Sequence, residues 1–126
     1  MLLQPVHKIL VLLFIGIFSG CSSSIQIDGF DTTIWQGDKQ GCNGLRKTYL
    51  EVLSKSQDLL LERSQNDLEE IFGLPDSHEL DKRRQKFFFY YLEPGPECSS
   101  AVKNPIQLQI RFNAVGLSSE VFFLNN

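Results

Sequence analysis

Few side chains here are equipped for chemistry, and their spacing decides which chemistry is open. The 126-residue chain holds three cysteines, Cys21, Cys42 and Cys98, and two histidines, His7 and His78. A Ser-His-Asp or Cys-His device needs a nucleophile beside an oriented base. Beyond residue 20 only His78 can serve as that base, and it sits in the polar run "PDSHELDKRR". Asp76, His78, Glu79 and Asp81 of this run are ligand-type side chains. Their spacing matches neither H-E-x-x-H nor an EF-hand loop, and there is no G-x-G-x-x-G, Walker sequence or C-x-x-C. The expectation is a solvated turn, with no catalytic residue, no metal site and no cofactor.

The cysteines are more informative. "LLFIGIFSGCSSS", residues 12–24, is apolar up to Gly20, reaches Cys21 and then turns to serine. His7 and Lys8 close a weakly positive start, and Ile9 to Phe18 are apolar apart from Gly16. An apolar run of about 10 residues is too short for a bilayer, which needs about 20, so residues 1–20 read as a signal peptide. An uncut N-terminal membrane anchor is the alternative. Phe18-Ser19-Gly20-Cys21 resembles a bacterial lipobox. That resemblance implies lipidation of Cys21, which becomes the first residue of the mature chain. Ser22 to Ser24 would then be a polar tether. Acyl chains contribute about 0.8 kcal/mol per buried methylene, and two or more hold a small domain stably. Serine rather than aspartate after the cysteine resembles the pattern that permits passage to the outer membrane.

Outside the inner membrane the environment is oxidising, which favours a Cys42–Cys98 disulfide. It would close a loop of roughly 57 residues and stabilise by about 4 kcal/mol in the chain-entropy picture. Two unrelated free thiols are the other reading. The formal charge of −3 provides no basic field for nucleic acid. Hydrophobic residues make up 42% of the chain, enough for one packed core.

The elements that must position these groups follow from patterning. Residues 21–42 read as a lipidated tether and an irregular lead-in, with Trp35 packing on the domain edge as a lid. Residues 43–62 carry a helical pattern (Leu45, Tyr49, Val52, Leu53, Leu59, Leu60) with Asn43 as N-cap. In "RSQNDLEEIFGLPD", residues 63–76, Ser64 and Asp67 form a capping box. Leu68, Ile71 and Phe72 make the apolar stripe, and Gly73 and Pro75 end the helix. Three strands follow: "KFFFYYLE" at 86–93, "IQLQIRF" at 106–112 with clean alternation, and 117–124 after the turn "NAVG". The expected fold is α+β, two helices on one face of a three-stranded antiparallel meander, with the domain spanning 43–126.

These residues resemble a known group. The helix exit "IFGLPD", the strand "FFFYYLE" and "LQIRFNAVGLSSEVFFL" are similar to the SmpA/OmlA (BamE-like) outer-membrane lipoproteins. They also resemble the two-helix, three-strand unit of β-lactamase inhibitor protein. The resemblance covers roughly residues 60–124 and implies a fold and an anchored protein rather than an activity. The segment "FDTTIWQGDKQGCNGLR", 30–46, departs from it and looks like uncharacterised Bacteroidetes-type lipoproteins.

One surface stands out. In "FFFYYL", Phe87, Phe89 and Tyr91 point one way while Phe88, Tyr90 and Leu92 point the other, and both sets are apolar. With helices on one side only, one set needs a cover: residues 25–42 stapled by Cys42–Cys98, or a partner protein. Phe88, Tyr90, Trp35 and Phe122 are the candidate partner-binding residues. Lys82-Arg83-Arg84 with Lys86 is the one basic cluster, either meeting phosphate head groups or serving as a solvated strand approach. The expected role is a non-enzymatic binding or scaffold module, held at the outer membrane by lipid, with an envelope protein as partner. The alternative is an inhibitor-type or ligand-binding module using the open aromatic face.

Overall fold

The computed structural model describes residues 24–125. The expected signal peptide (1–20), the expected lipidation site Cys21 and the start of the expected serine tether lie outside the described residues.

Local signals write most of the elements. The first helix, α1 (Thr32–Gly37), starts at Asp31, whose carboxylate accepts from the Thr33 and Ile34 amides. Arg46–Tyr49 is a 3-10 turn leading into α2 (Leu50–Lys55), and Gln57–Leu60 is a second 3-10 turn. Helix α3 (Gln65–Phe72) has the full capping box of Ser64 and Asp67 and ends at Gly73, at a φ of 74° that disfavours a side chain. Four strands follow: β1 (Ser77–Leu80), β2 (Lys86–Tyr91), β3 (Ile106–Phe112) and β4 (Ser118–Asn125), forming an antiparallel sheet in chain order.

The class is α+β, with three helices and four strands among the described residues where two and three are expected from the sequence. The extra strand is "SHEL" of the supposed loop. All four of its residues are exposed, so no alternation betrays it, and it forms because β2 offers a free edge. The extra helix is α1. The single helix expected over 43–62 is instead one α-helical stretch between two 3-10 turns. Asn43 is no cap; its own amide donates to Asp38 (2.7 Å).

Register sorts the sheet residues by face. Phe88 opposes Ile110, which opposes Val121; Tyr90 opposes Leu108, which opposes Phe123. This face meets the helices and forms the core with Trp35, Leu53, Leu60, Leu68, Ile71 and Phe72. The lead-in joins the same core: Ile27 and Trp35 are buried in it, and Ile25 and Phe30 pack against it. Full burial of one such apolar side chain contributes about 1.5–3 kcal/mol.

The lead-in is fastened at two further places. Cys42 and Cys98 are bonded, with Cα atoms 5.4 Å apart. Just before, Gly41 passes so close to the end of β2 that a Cβ would lie 2.8 Å from the Tyr91 carbonyl oxygen. Only glycine fits there.

Candidate functional site

Two places in the fold bring unusual residues together. The first is the sheet face turned away from the helices. On it Phe89, Gln109 and Phe122 lie side by side, as do Tyr91, Gln107 and Leu124, and Phe87, Arg111 and Glu120. None of Phe87, Phe89, Tyr91, Phe122 and Leu124 belongs to the core cluster, although Phe89 is only 9% exposed and the other four are half-buried. The Phe87 and Phe89 rings stack along β2 with centroids 6.4 Å apart. Arg111 donates to Glu120 at 2.6 Å, yet among the described residues its Nε is buried without a partner, and so is Oε1 of Gln109. Unmet polar atoms among aromatic rings are costly in an isolated surface.

The second place is the knot that ties α1 to the sheet. Helix α3 ends with carbonyls that its own turns cannot satisfy. Gln36 Nε2 donates to Glu70 (3.0 Å) and Ile71 (3.2 Å), Trp35 Nε1 to Phe72 (3.2 Å), and Tyr90 Oη to Gly73 (2.8 Å). Burial, with the negative charges of Glu69 and Asp76 adding to it, pushes the Tyr90 phenol far above its ordinary value.

Beside this cap lies a buried ion pair. Arg46 Nη1 donates to Asp76 Oδ2 at 2.6 Å, with the two side chains 2% and 5% exposed. Arg46 Nε donates to the Trp35 carbonyl (2.9 Å), and the guanidinium carbon stands 4.9 Å from the Trp35 ring centroid. Asp76 also accepts from the amides of Gln40 (3.1 Å) and Tyr91 (2.8 Å). Asp38, fully buried, accepts from the amides of Asn43, Leu45 and Arg46 and so shapes the turn that delivers the guanidinium. Between α1, the 3-10 turn at Lys39–Gly41 and the segment after α3 opens a cleft of about 340 Å³.

The structure separates the candidate binding residues. Trp35 and Tyr90 are fully buried and Phe88 is 1% exposed, so these three are core and not a docking surface. The reason is that α1 and the lead-in cover the Phe88/Tyr90 side of β2, as self-coverage by residues 25–42 requires. Trp35 is accordingly a core anchor rather than a lid at the edge. Only Phe122 lies on the open face, together with Phe87, Phe89 and Tyr91. Alternation had marked that second aromatic set, but not which set the helices would take.

His78 is exposed on β1 opposite Phe88, and among the described residues its side chain makes no hydrogen bond. Among the described residues no group of three or more His, Cys, Asp or Glu is placed to hold a metal. Lys82, Arg83 and Arg84 are the exposed turn of the β1–β2 hairpin, held by Asp81, which accepts from the Arg83 and Gln85 amides. The Arg46–Asp76 pair escaped sequence reasoning altogether, since its partners are 30 positions apart. No family model, curated protein or solved structure matches the chain.

Proposed function

We propose that this chain is a lipoprotein of the outer membrane, anchored through a lipidated Cys21, whose α+β domain serves as a non-catalytic binding or scaffold module for another envelope protein. The observation that carries the binding role is the open sheet face: Phe87, Phe89, Tyr91, Phe122 and Leu124 stand outside the core cluster around the unpartnered atoms of Gln109 and Arg111. A partner that covers the rings and meets those atoms gains apolar burial and relieves their desolvation together. The anchor rests on the Phe18-Ser19-Gly20-Cys21 pattern. No helix among the described residues is long and apolar enough to cross a membrane. The resemblance of residues 60–124 to BamE-like lipoproteins, carried by sequence motifs alone, favours the fold and the anchor.

The test pairs two faces of one strand. Phe87→Ser with Phe122→Ser should abolish co-purification with envelope proteins while the fold is kept and the melting temperature falls much less than in Phe88→Ala. Phe88→Ala should instead cost about 3–5 kcal/mol of stability, as truncating a core aromatic does. Retained co-purification in the first variant contradicts the role of the open face. Cys21→Ala should release the protein from the membrane fraction, and continued attachment removes the anchor.

A further inference from the structure

The cleft at the end of α3 is lined by residues that share none with the open face. Arg46, Lys39 and Gln40 stand on it with Phe72, Leu74 and Glu97. Arg46 is the decisive one. Its side chain is only 2% exposed, and Nε and Nη1 hold Trp35, Asp76 and Tyr91, while among the described residues Nη2 has no hydrogen-bond partner. A desolvated guanidinium with a free donor at a cleft wall is suited to an oxyanion. Lys39 adds an exposed ammonium that makes no ion pair among the described residues. The Gln40 side-chain Oε1 is buried without a partner among the described residues, and the Gln40 backbone sits at φ 60°. Non-glycine residues hold that conformation at a cost, which functional sites tend to retain.

The charge balance narrows the ligand. Asp76 offsets Arg46, and Glu97 offsets Lys39, so the lining is neutral overall. A phosphate dianion would be left uncompensated there. A zwitterion would not: its carboxylate meets Arg46 and Lys39 while its ammonium faces Glu97. Leu74, 77% exposed, gives the cleft an apolar side. A volume of about 340 Å³ suits a small ligand.

We infer that this cleft binds a small zwitterion with an apolar side chain, an α-amino acid or a short peptide with free termini, through Arg46 Nη2 and Lys39 at the carboxylate and Glu97 at the ammonium. The inference is independent of the open face and of the anchor.

The chain has a single tryptophan, Trp35, whose ring lies against the Arg46 guanidinium, so its fluorescence reports the site directly. The purified full chain is titrated with leucine, leucyl-leucine, leucine amide and N-acetylleucine. Leucine or the dipeptide should give a saturable change below about 10 mM, the weak end of specific binding. Which of the two binds tighter identifies the source, free amino acid or peptide. Leucine amide, lacking the carboxylate, and N-acetylleucine, lacking the ammonium, should each bind at least tenfold more weakly. Lys39→Gln should weaken leucine or dipeptide binding about tenfold without moving the melting temperature, since Lys39 is exposed. No saturable change with either zwitterion overturns the inference. So does equal binding of the amide or of N-acetylleucine, or an unaltered affinity in Lys39→Gln.

Discussion

Replacing Arg46 by methionine tests how the lead-in is joined to the sheet. Methionine preserves most of the aliphatic bulk, so the change removes chiefly the charge and its donors. Asp76 would keep the Gln40 and Tyr91 amides but lose its cation at 2.6 Å, with its side chain only 5% exposed. Breaking a buried pair from one side costs about 3–5 kcal/mol. The two remaining amide donors place Arg46→Met near about 3 kcal/mol. Asp76→Asn should cost a similar amount, because it leaves the guanidinium buried with carbonyl partners alone. The double variant strands no charge, and should therefore cost about 3–4 kcal/mol rather than the sum, a coupling of at least about 2 kcal/mol. Urea unfolding followed by Trp35 fluorescence and far-ultraviolet circular dichroism provides the free energies, with an unchanged denaturant slope confirming that the folded state is comparable. Coupling below about 0.5 kcal/mol would refute the pair as a joint unit.

Three further outcomes follow. Reducing Cys42–Cys98, a separation of 56 residues, should lower stability by about 4 kcal/mol while retaining the sheet; equal stability of oxidised and reduced protein would contradict a staple on the lead-in. The amide of Ile106 and the ammonium of Lys47 hold the Glu93 carboxyl below its ordinary 4.5. Its folded value is depressed, so its stabilisation is complete above 4.5 and fades as pH falls through the folded value. Glu93→Gln should flatten that part of the acid-unfolding curve. Tyr90 works in the opposite sense: the folded state keeps the phenol proton where the unfolded chain releases it. Stability should thus fall as pH rises above the ordinary value of 10.0, and Tyr90→Phe should blunt that decline in alkaline denaturation.

What the sequence reveals divides along the distance over which each signal acts. Ser64, Asp67, Gly73 and Pro75 fix α3 within a dozen residues, and all lie in one quoted stretch. The alternation of Ile106 to Phe112 likewise carries β3 with its bounds. Helix α1 is different. Asp31 is a legible cap, but six residues offer no periodicity, and the helix exists because Trp35 and Gln36 complete the carbonyls of α3 some 34 to 37 positions away. Strand β1 has no apolar alternation at all, since all four residues are exposed. It is made by pairing with β2, not by burial. The aromatic run of β2 shows both sets of rings, but the choice of face depends on where residues 25–42 pack. That explains why Phe88, Tyr90 and Trp35 turn out to be core while Phe122 lies on the other side.

The central claim is that the open face of the sheet binds another envelope protein. The direct measurement places a photo-crosslinking phenylalanine at position 122 in the cells that make this protein, with one at Leu59 as the control, a 44% exposed residue of the 3-10 turn after α2. The account predicts a discrete adduct from position 122 that disappears with Phe87→Ser and none from position 59. No adduct at 122, or the same adduct from both positions, would contradict it.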